Sequence, residues 1–214
     1  MQHGTIVVVA GGPASLASVP EVPADATVIA ADGGVDRALE LGLRVDLAIG
    51  DFDSVTPEGL AAVEAAGARI ERHPAAKDAT DLELALEEAV SRDPARIVVL
   101  GSGGGRLDHL LGSLLLLGSE RYAVAEIDAY LGSAVAHIVR GTRELAGTPG
   151  ELVSLLLLHG PAVVTTHGLI YPLTAEILAA GSTRGISNLF ATKTASVELE
   201  RGTIAVIRPG KEHP

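Results

Sequence analysis

Leu47-Ala48-Ile49-Gly50-Asp51-Phe52-Asp53-Ser54 runs from a short apolar stretch straight into two acids one residue apart. A run of this kind, closed by glycine and acids, reads as a buried strand surfacing into a loop, as strands of a parallel sheet do. The same grammar recurs along the chain. Ala31-Asp32-Gly33-Gly34 follows the apolar Val28 to Ala31, and Lys77-Asp78-Ala79-Thr80-Asp81 follows Arg69 to Arg72. Gly105-Arg106-Leu107-Asp108-His109 follows Ile97 to Leu100. Charged residues that gather repeatedly at strand ends point to one site assembled from several loops, because open parallel sheets bind ligands outside the carboxyl ends of their strands.

Around these stretches, strand patterns alternate with helical ones up to about residue 132, the signature of a parallel sheet with crossover helices. Strands are expected at Ile6 to Ala10, Val28 to Ala31, Leu47 to Ile49, Arg69 to Arg72, Ile97 to Leu100 and Glu126 to Tyr130. Thr56-Pro57-Glu58 reads as a helix cap, first-turn proline and first-turn acid, and Gly42 and Gly67 read as helix stops. From about Ala134 the helical period fades and β-rich runs recur between glycines and prolines, so residues 133–214 read as a small all-β sandwich after an α/β domain of residues 1–132. Within that second part, Thr174 to Ala180 is apolar enough to suggest a single helix ended by Gly181.

Composition narrows the function classes. The chain has 214 residues, 47% of them hydrophobic, enough for a sizeable core. Its net charge of -11 repels a phosphate backbone at long range, so nucleic acid is not an expected partner. Cysteine is absent, which removes disulfides, thiolate metal sites and cysteine nucleophiles and leaves oxygen and histidine as metal ligands. The longest apolar runs fall well short of the roughly 20 residues of a membrane span, and the start of the chain lacks a basic flank before Ile6 to Ala10. These features suggest a cytoplasmic protein without a membrane partner.

Each acid has an ordinary structural reading when taken alone. Asp32-Gly33 and Asp51 to Ser54 suit turns, and Thr80-Asp81-Leu82-Glu83 suits a capping box ahead of a buried stripe at Leu82, Ala85, Leu86, Ala89 and Val90. Together they demand a counter-charge, since two carboxylates about 5 Å apart repel by about 3 kcal/mol at an effective dielectric near 20. A divalent cation with oxygen ligands supplies it, and Mg²⁺ typically combines carboxylates, water and substrate phosphates. Lys77 and Arg106 then read as cations aimed at phosphate oxygens. The glycine run Gly101-Ser102-Gly103-Gly104-Gly105 offers amides for an anion, although it is neither a dinucleotide fingerprint nor a P-loop. None of the seven histidines sits at a metal-binding spacing.

Taken in order, these motifs resemble the thiamine pyrophosphokinase (thiamine diphosphokinase) family. The resemblance rests on the Asp32, Asp51-Phe52-Asp53, Lys77-Asp78-Ala79-Thr80-Asp81 and Arg106-Leu107-Asp108-His109 stretches, with Gly168-Leu169, Tyr171-Pro172-Leu173 and Gly185-Ile186-Ser187-Asn188 in the β-rich part. It implies transfer of the pyrophosphoryl group of ATP to thiamine, giving thiamine diphosphate and AMP, by a homodimer with its sites between chains. It also implies a Mg²⁺ site at Asp51, Asp53 and Asp81, which serve as the catalytic set, with Asp51 a candidate proton acceptor. Asp32, Lys77, Asp78, Thr80, Arg106 and Asp108 correspond to the ATP site, and Ser187 and Asn188 to the thiamine-binding segment. The chain departs from the family pattern in having no tryptophan, leaving Phe190 or Tyr171 as the aromatic ring for thiamine, and in carrying Leu189 and Ser113 where acid and asparagine are common. Alternatives are a pyrophosphokinase for another hydroxyalkyl heterocycle such as a pterin, a catalytically silent nucleotide-binding relative, and a metal-dependent hydrolase.

Overall fold

The structure, a computed structural model, describes residues 3–12, 16, 19–101 and 105–210. The chain forms two compact units, Met1–Ser113 with Val124–Gly132, and Leu114–Ala123 with Ser133–Pro214.

The first unit is built on strands β1 (His3–Ala10), β2 (Thr27–Ala31), β3 (Leu47–Gly50), β4 (Arg69–Arg72), β5 (Pro94–Leu100) and β6 (Glu126–Leu131). All neighbours run parallel in the order β6-β5-β1-β2-β3-β4. Each expected strand is present. The order reverses between β1 and β5, which opens the crevice at the carboxyl ends where ligands of such sheets sit.

Helices α1 (Gly34–Glu40), α2 (Pro57–Ala65) and α3 (Asp81–Val90) cover the sheet, and α4 (Leu107–Leu117) begins in the same unit. Successive strand side chains point to opposite faces. Val7, Val9, Val28, Ala30 and Ala48 therefore pack with Val35 and Ala38 of α1 and Val63 of α2. Ile6, Val8, Ile29, Leu47 and Ile49 alternate with them and are buried on the other face, against α3, whose own buried stripe is Leu82, Ala85, Leu86 and Ala89, with Val90 at its last turn only partly buried. Local chemistry sets the helix starts as expected: Thr56 Oγ1 accepts from the Gly59 amide, and Thr80 Oγ1 from the Glu83 amide. Asp36 on α1 accepts from both the amide and the hydroxyl of Thr56, at 2.8 and 2.6 Å, tying α1 to the first turn of α2.

The second unit contains β7 (Ala134–Val139), β8 (Thr142–Ala146), β9 (Leu152–His167), β10 (Glu176–Leu178), β11 (Asn188–Leu189) and β12 (Thr194–Arg208). Its two long strands, β9 and β12, pair antiparallel along most of their length and serve two layers. In one layer the C-terminal half of β12 pairs with β7 while the N-terminal end of β9 pairs with β11. In the other, the N-terminal half of β12 pairs with β8 and the later part of β9 with β10. Val153, Leu155 and Val206 from the first layer meet Leu145, Val164 and Val197 from the second in one core. The strands change layer where their register shifts, between Leu199 and Ile204, and Gly160 and Gly202 face each other there with φ 121 and 83. A side chain on Gly202 would meet Ala162 Cα at 2.7 Å.

One expectation is overturned. Thr174 to Ala180 holds no helix: Glu176–Leu178 is a strand paired with Val164 to Ala162, with Ile177 exposed and Leu178 buried. Apolar content alone does not separate helix from strand, and the alternation decides for the strand.

Because Gly202 combines a left-handed φ with no room for a Cβ, Gly202→Ala should destabilise the chain by about 2–4 kcal/mol. Urea denaturation checks this; a midpoint within error of the wild type would contradict the layer crossing described.

Candidate active site

The carboxyl ends of β2, β3 and β4 and the first turn of α3 bring Asp32, Asp51, Asp53, Lys77 and Asp81 together. Asp32 follows β2, and its amide donates to Ile49 O at 3.0 Å across to β3. Asp51 and Asp53 leave the end of β3, with the Asp53 amide directed at Asp51 Oδ1 at 3.3 Å. One carboxylate oxygen from each of Asp32, Asp51 and Asp53 lies within 4.8 Å of the others. Lys77 bridges outward from this group, its Nζ 3.1 Å from Asp51 Oδ2 and 3.0 Å from Asp81 Oδ1.

The backbone that achieves this is strained at successive points. Asp32 and Phe52 sit at φ 44 and 63, a region that costs a residue with a Cβ about 1–2 kcal/mol. Gly50, at φ 147, lies between Asp32 and Asp81: a Cβ there would stand 3.0 Å from Asp81 Oδ1 and 3.2 Å from Asp32 Cβ. Glycine at this position is therefore what lets the two acids close over the strand end. Phe52 is buried in the core shared with α1 and α2, and the Arg72 guanidinium lies over its ring, 5.0 Å from the centroid.

Charge is unevenly compensated. Burial pushes the Asp32 carboxyl above its ordinary 3.8, and Asp81 adds to the rise, while hydrogen bonding to Gly33 and Ser54 opposes it. Its Oδ1 is buried with no hydrogen-bond partner. The hydrogen bond from Lys77, helped by the Asp53 amide, instead holds Asp51 below the usual carboxylate range. Burial lowers the Lys77 pKa, but its bonds to Asp81 and Asp51 outweigh that and raise it. An unpartnered buried oxygen beside two further carboxylates, with no sulfur or imidazole in the set, suits a hard divalent cation.

Of the other expected residues, Thr80 is the N-cap of α3 and Asp78 is exposed in the preceding loop. Arg106 and Asp108, at the start of α4, pair with each other at 2.6 Å and are both largely exposed. That pairing raises the pKa of Arg106 and lowers that of Asp108. An exposed pair of this kind is weak and readily exchanged for a phosphate. Ser102, Gly103 and Gly104, the middle of the expected anion cradle, lie outside the described residues.

In the second unit, Ser187 is exposed at φ 57, its amide bonded to Ser154 Oγ. Asn188 is 2% exposed, and its carboxamide bonds to backbone through both its oxygen and its nitrogen. It accepts from the amides of Tyr171 and Leu189 and donates to Tyr171 O. Asn188 therefore holds the Tyr171 segment in place. Phe190, expected as a ring for a ligand, is a core residue packed on Gly147, whereas Tyr171 is 55% exposed. Burial of the aromatic at 190 follows from β11 continuing into the Leu169–Phe190 bridge. Sequence reading missed the Arg72–Phe52 contact altogether, and nothing in Arg69 to Arg72 beyond a basic strand end signals it.

A parallel sheet carrying clustered carboxylates and a bridging lysine at its strand ends defines an α/β enzyme suited to phosphate-ester chemistry. The model of the "Thiamin pyrophosphokinase, catalytic domain" matches residues 22–127, and that of the "Thiamin pyrophosphokinase, vitamin B1 binding domain" matches residues 136–204. A thiamine pyrophosphokinase of Bacillus subtilis (strain 168) is 30% identical over 213 residues, covering 95% of this chain and 98% of that protein. The crystal structure of thiamine pyrophosphokinase from B. subtilis superposes with a TM-score of 0.83 at 28% identity, covering 97% of this chain and 100% of the other. That of the Geobacillus thermodenitrificans thiamin pyrophosphokinase gives 0.80 at 31% identity, covering 97% and 98%. The chain belongs to the thiamin pyrophosphokinase family.

The charge imbalance has a consequence for stability. Because burial raises the Asp32 pKa on folding, the folded chain binds that proton more tightly than the unfolded chain. Stability contributed by this group thus falls as pH rises from 3.8 through the raised value, and the penalty persists at pH 7. Asp32→Asn should raise the thermal midpoint of the metal-free protein at pH 7, with the gain shrinking as pH approaches 3.8. A midpoint unchanged or lowered at pH 7 would show that Asp32 is not held at a cost.

Proposed function

We propose that this enzyme transfers the pyrophosphoryl group of ATP to the hydroxyl of thiamine, forming thiamine diphosphate and AMP. The convergence of Asp32, Asp51 and Asp53 within 4.8 Å, bridged by Lys77 to Asp81, carries this reading, in a chain whose two parts both match thiamin pyrophosphokinase domains. Residues 1–132 are taken as the part that binds ATP and Mg²⁺, and residues 133–214 as the part that binds thiamine.

Asp51, Asp53 and Asp81, joined by Asp32, are the acids that would hold Mg²⁺. Bound there, it would neutralise negative charge on the transferred group. Lys77 releases its two carboxylates and turns to the phosphate oxygens, which are better acceptors for a compact ammonium once the acids are otherwise neutralised. Arg106, separated from Asp108, clamps the triphosphate. Asp78 and Thr80 border the nucleotide from the loop before α3. Ser187 meets the thiamine, with Asn188 fixing the Tyr171 segment behind it. Paired with Lys77 before substrate binds, and facing the cation once Lys77 has turned away, Asp51 stays a weak base, so it suits cation ligation more than proton acceptance. Positioning and charge neutralisation account for most of the acceleration, as in phosphoryl transfer generally.

We also propose a homodimer with the site between chains. Leu107, Leu111 and Leu115, spaced four apart on α4, are 67%, 50% and 61% exposed. In a chain of net charge -11, a second copy approaches most readily at such a charge-poor stripe.

With purified enzyme, ATP, Mg²⁺ and thiamine, AMP should appear only when thiamine is present; ADP formation, or AMP without an acceptor, would refute the reaction. Asp51→Asn and Asp81→Asn should each lower kcat by at least about 10²-fold, the scale of losing one pre-organised electrostatic group, with thermal midpoints near the wild type. The double substitution Leu111→Lys, Leu115→Lys should convert the mass found by light scattering to that of a single chain; an unchanged mass would place the dimer contact elsewhere.

A further inference from the structure

Arg72 stands outside every role assigned so far, yet it touches the loop that carries two of the acids. It ends the edge strand β4, where its backbone lies in register with Gly50, and the next amide, His73, donates to Gly50 O at 2.9 Å. From that position its side chain crosses to Phe52 and lays the guanidinium over the ring. Phe52 is the residue between Asp51 and Asp53, and it holds φ 63. A non-glycine residue stays in that region only where its surroundings over-determine it. One side of the ring is fixed by the core with Val35, Ala38 and Val63, and the exposed Arg72 closes the other.

We propose that Arg72 is a positioning residue for the cation site: its cation–π contact locks Phe52 in the left-handed conformation that keeps the Asp51 and Asp53 carboxylates within ligand distance of each other and of Asp32. This rests on the reading of the acid cluster as a divalent-cation site. The proposal makes a prediction opposite in sign to simple electrostatics. A positive charge repels an incoming divalent ion, so deleting it should tighten ion binding if Arg72 acts only through its field. If Arg72 acts by holding Phe52, deleting it should weaken binding, because the ligands are no longer pre-arranged.

The test measures Mn²⁺ binding to the full chain by the loss of the free-ion electron paramagnetic resonance signal, without nucleotide. Hydrogen exchange of the segment 50–54 is followed alongside. Arg72→Met should weaken Mn²⁺ binding about fivefold and speed exchange at Phe52 and Asp53, while Arg72→Lys, which keeps a cation over the ring, should restore most of both. In a Phe52→Leu background, Arg72→Met should add no further loss. The KM for ATP at saturating metal should stay within twofold of the wild type in Arg72→Met. Tighter or unchanged Mn²⁺ binding in Arg72→Met overturns the proposal, as does an equal loss in the Phe52→Leu background. A raised KM for ATP with Mn²⁺ binding intact also overturns it, assigning Arg72 to phosphate instead. If the wild-type chain itself does not bind Mn²⁺, the cation-site reading fails first and takes the proposal with it.

Discussion

Carboxylates held closer together than they would stay in water are the constraint on which the rest of this molecule turns. Asp32, Asp51 and Asp53 crowd to within 4.8 Å, and Asp81 adds its charge from the start of α3. Nothing in the energetics of folding favours that arrangement. It persists because the hydrogen-bonded edges of β2 and β3 fix where each loop begins, and because Lys77 reaches two of the acids at once. The compensation is incomplete, as the unpartnered Asp32 oxygen shows. The same repulsion is what a bound cation would relieve.

Backbone strain is the second expression of that constraint. Left-handed residues at Asp32 and Phe52 and the open conformation at Gly50 turn the loops after β2 and β3 toward one point. Each costs stability locally, and each is secured by packing nearby: Asp32 by its bond to Ile49, Phe52 by the α1 and α2 core, Gly50 by pairing of β3 with β4. The parallel sheet works as a rigid frame whose end carries the strained parts, the usual division between scaffold and site.

The β-rich unit solves a different problem. Its strands β9 and β12 each serve two layers, so a single pair of bends at Gly160 and Gly202 decides how the core closes. That closure draws Phe190 inward and leaves Tyr171 at the surface, held by the Asn188 carboxamide. A chain with 2% aromatic residues has few rings to divide between core and surface, and here the division is made by strand pairing rather than by residue type.

Local signals were legible from residues alone. The strands of the first unit, the caps at Thr56 and Thr80, the break to β structure near Ala134 and the candidate acids all depend on neighbours a few positions away, where periodicity and side-chain-to-backbone bonding act. The segment 174–180 failed because its apolar content suits helix and strand alike, and only pairing with β9 chose between them. Which acids meet, that Lys77 bridges Asp51 and Asp81, that Arg72 covers Phe52 and that Asn188 bonds to backbone were decided by tertiary structure. Those contacts depend on the lateral order of strands and the return path of α3. No sequence spacing encodes that order, because it is set by how whole elements bury their faces against each other.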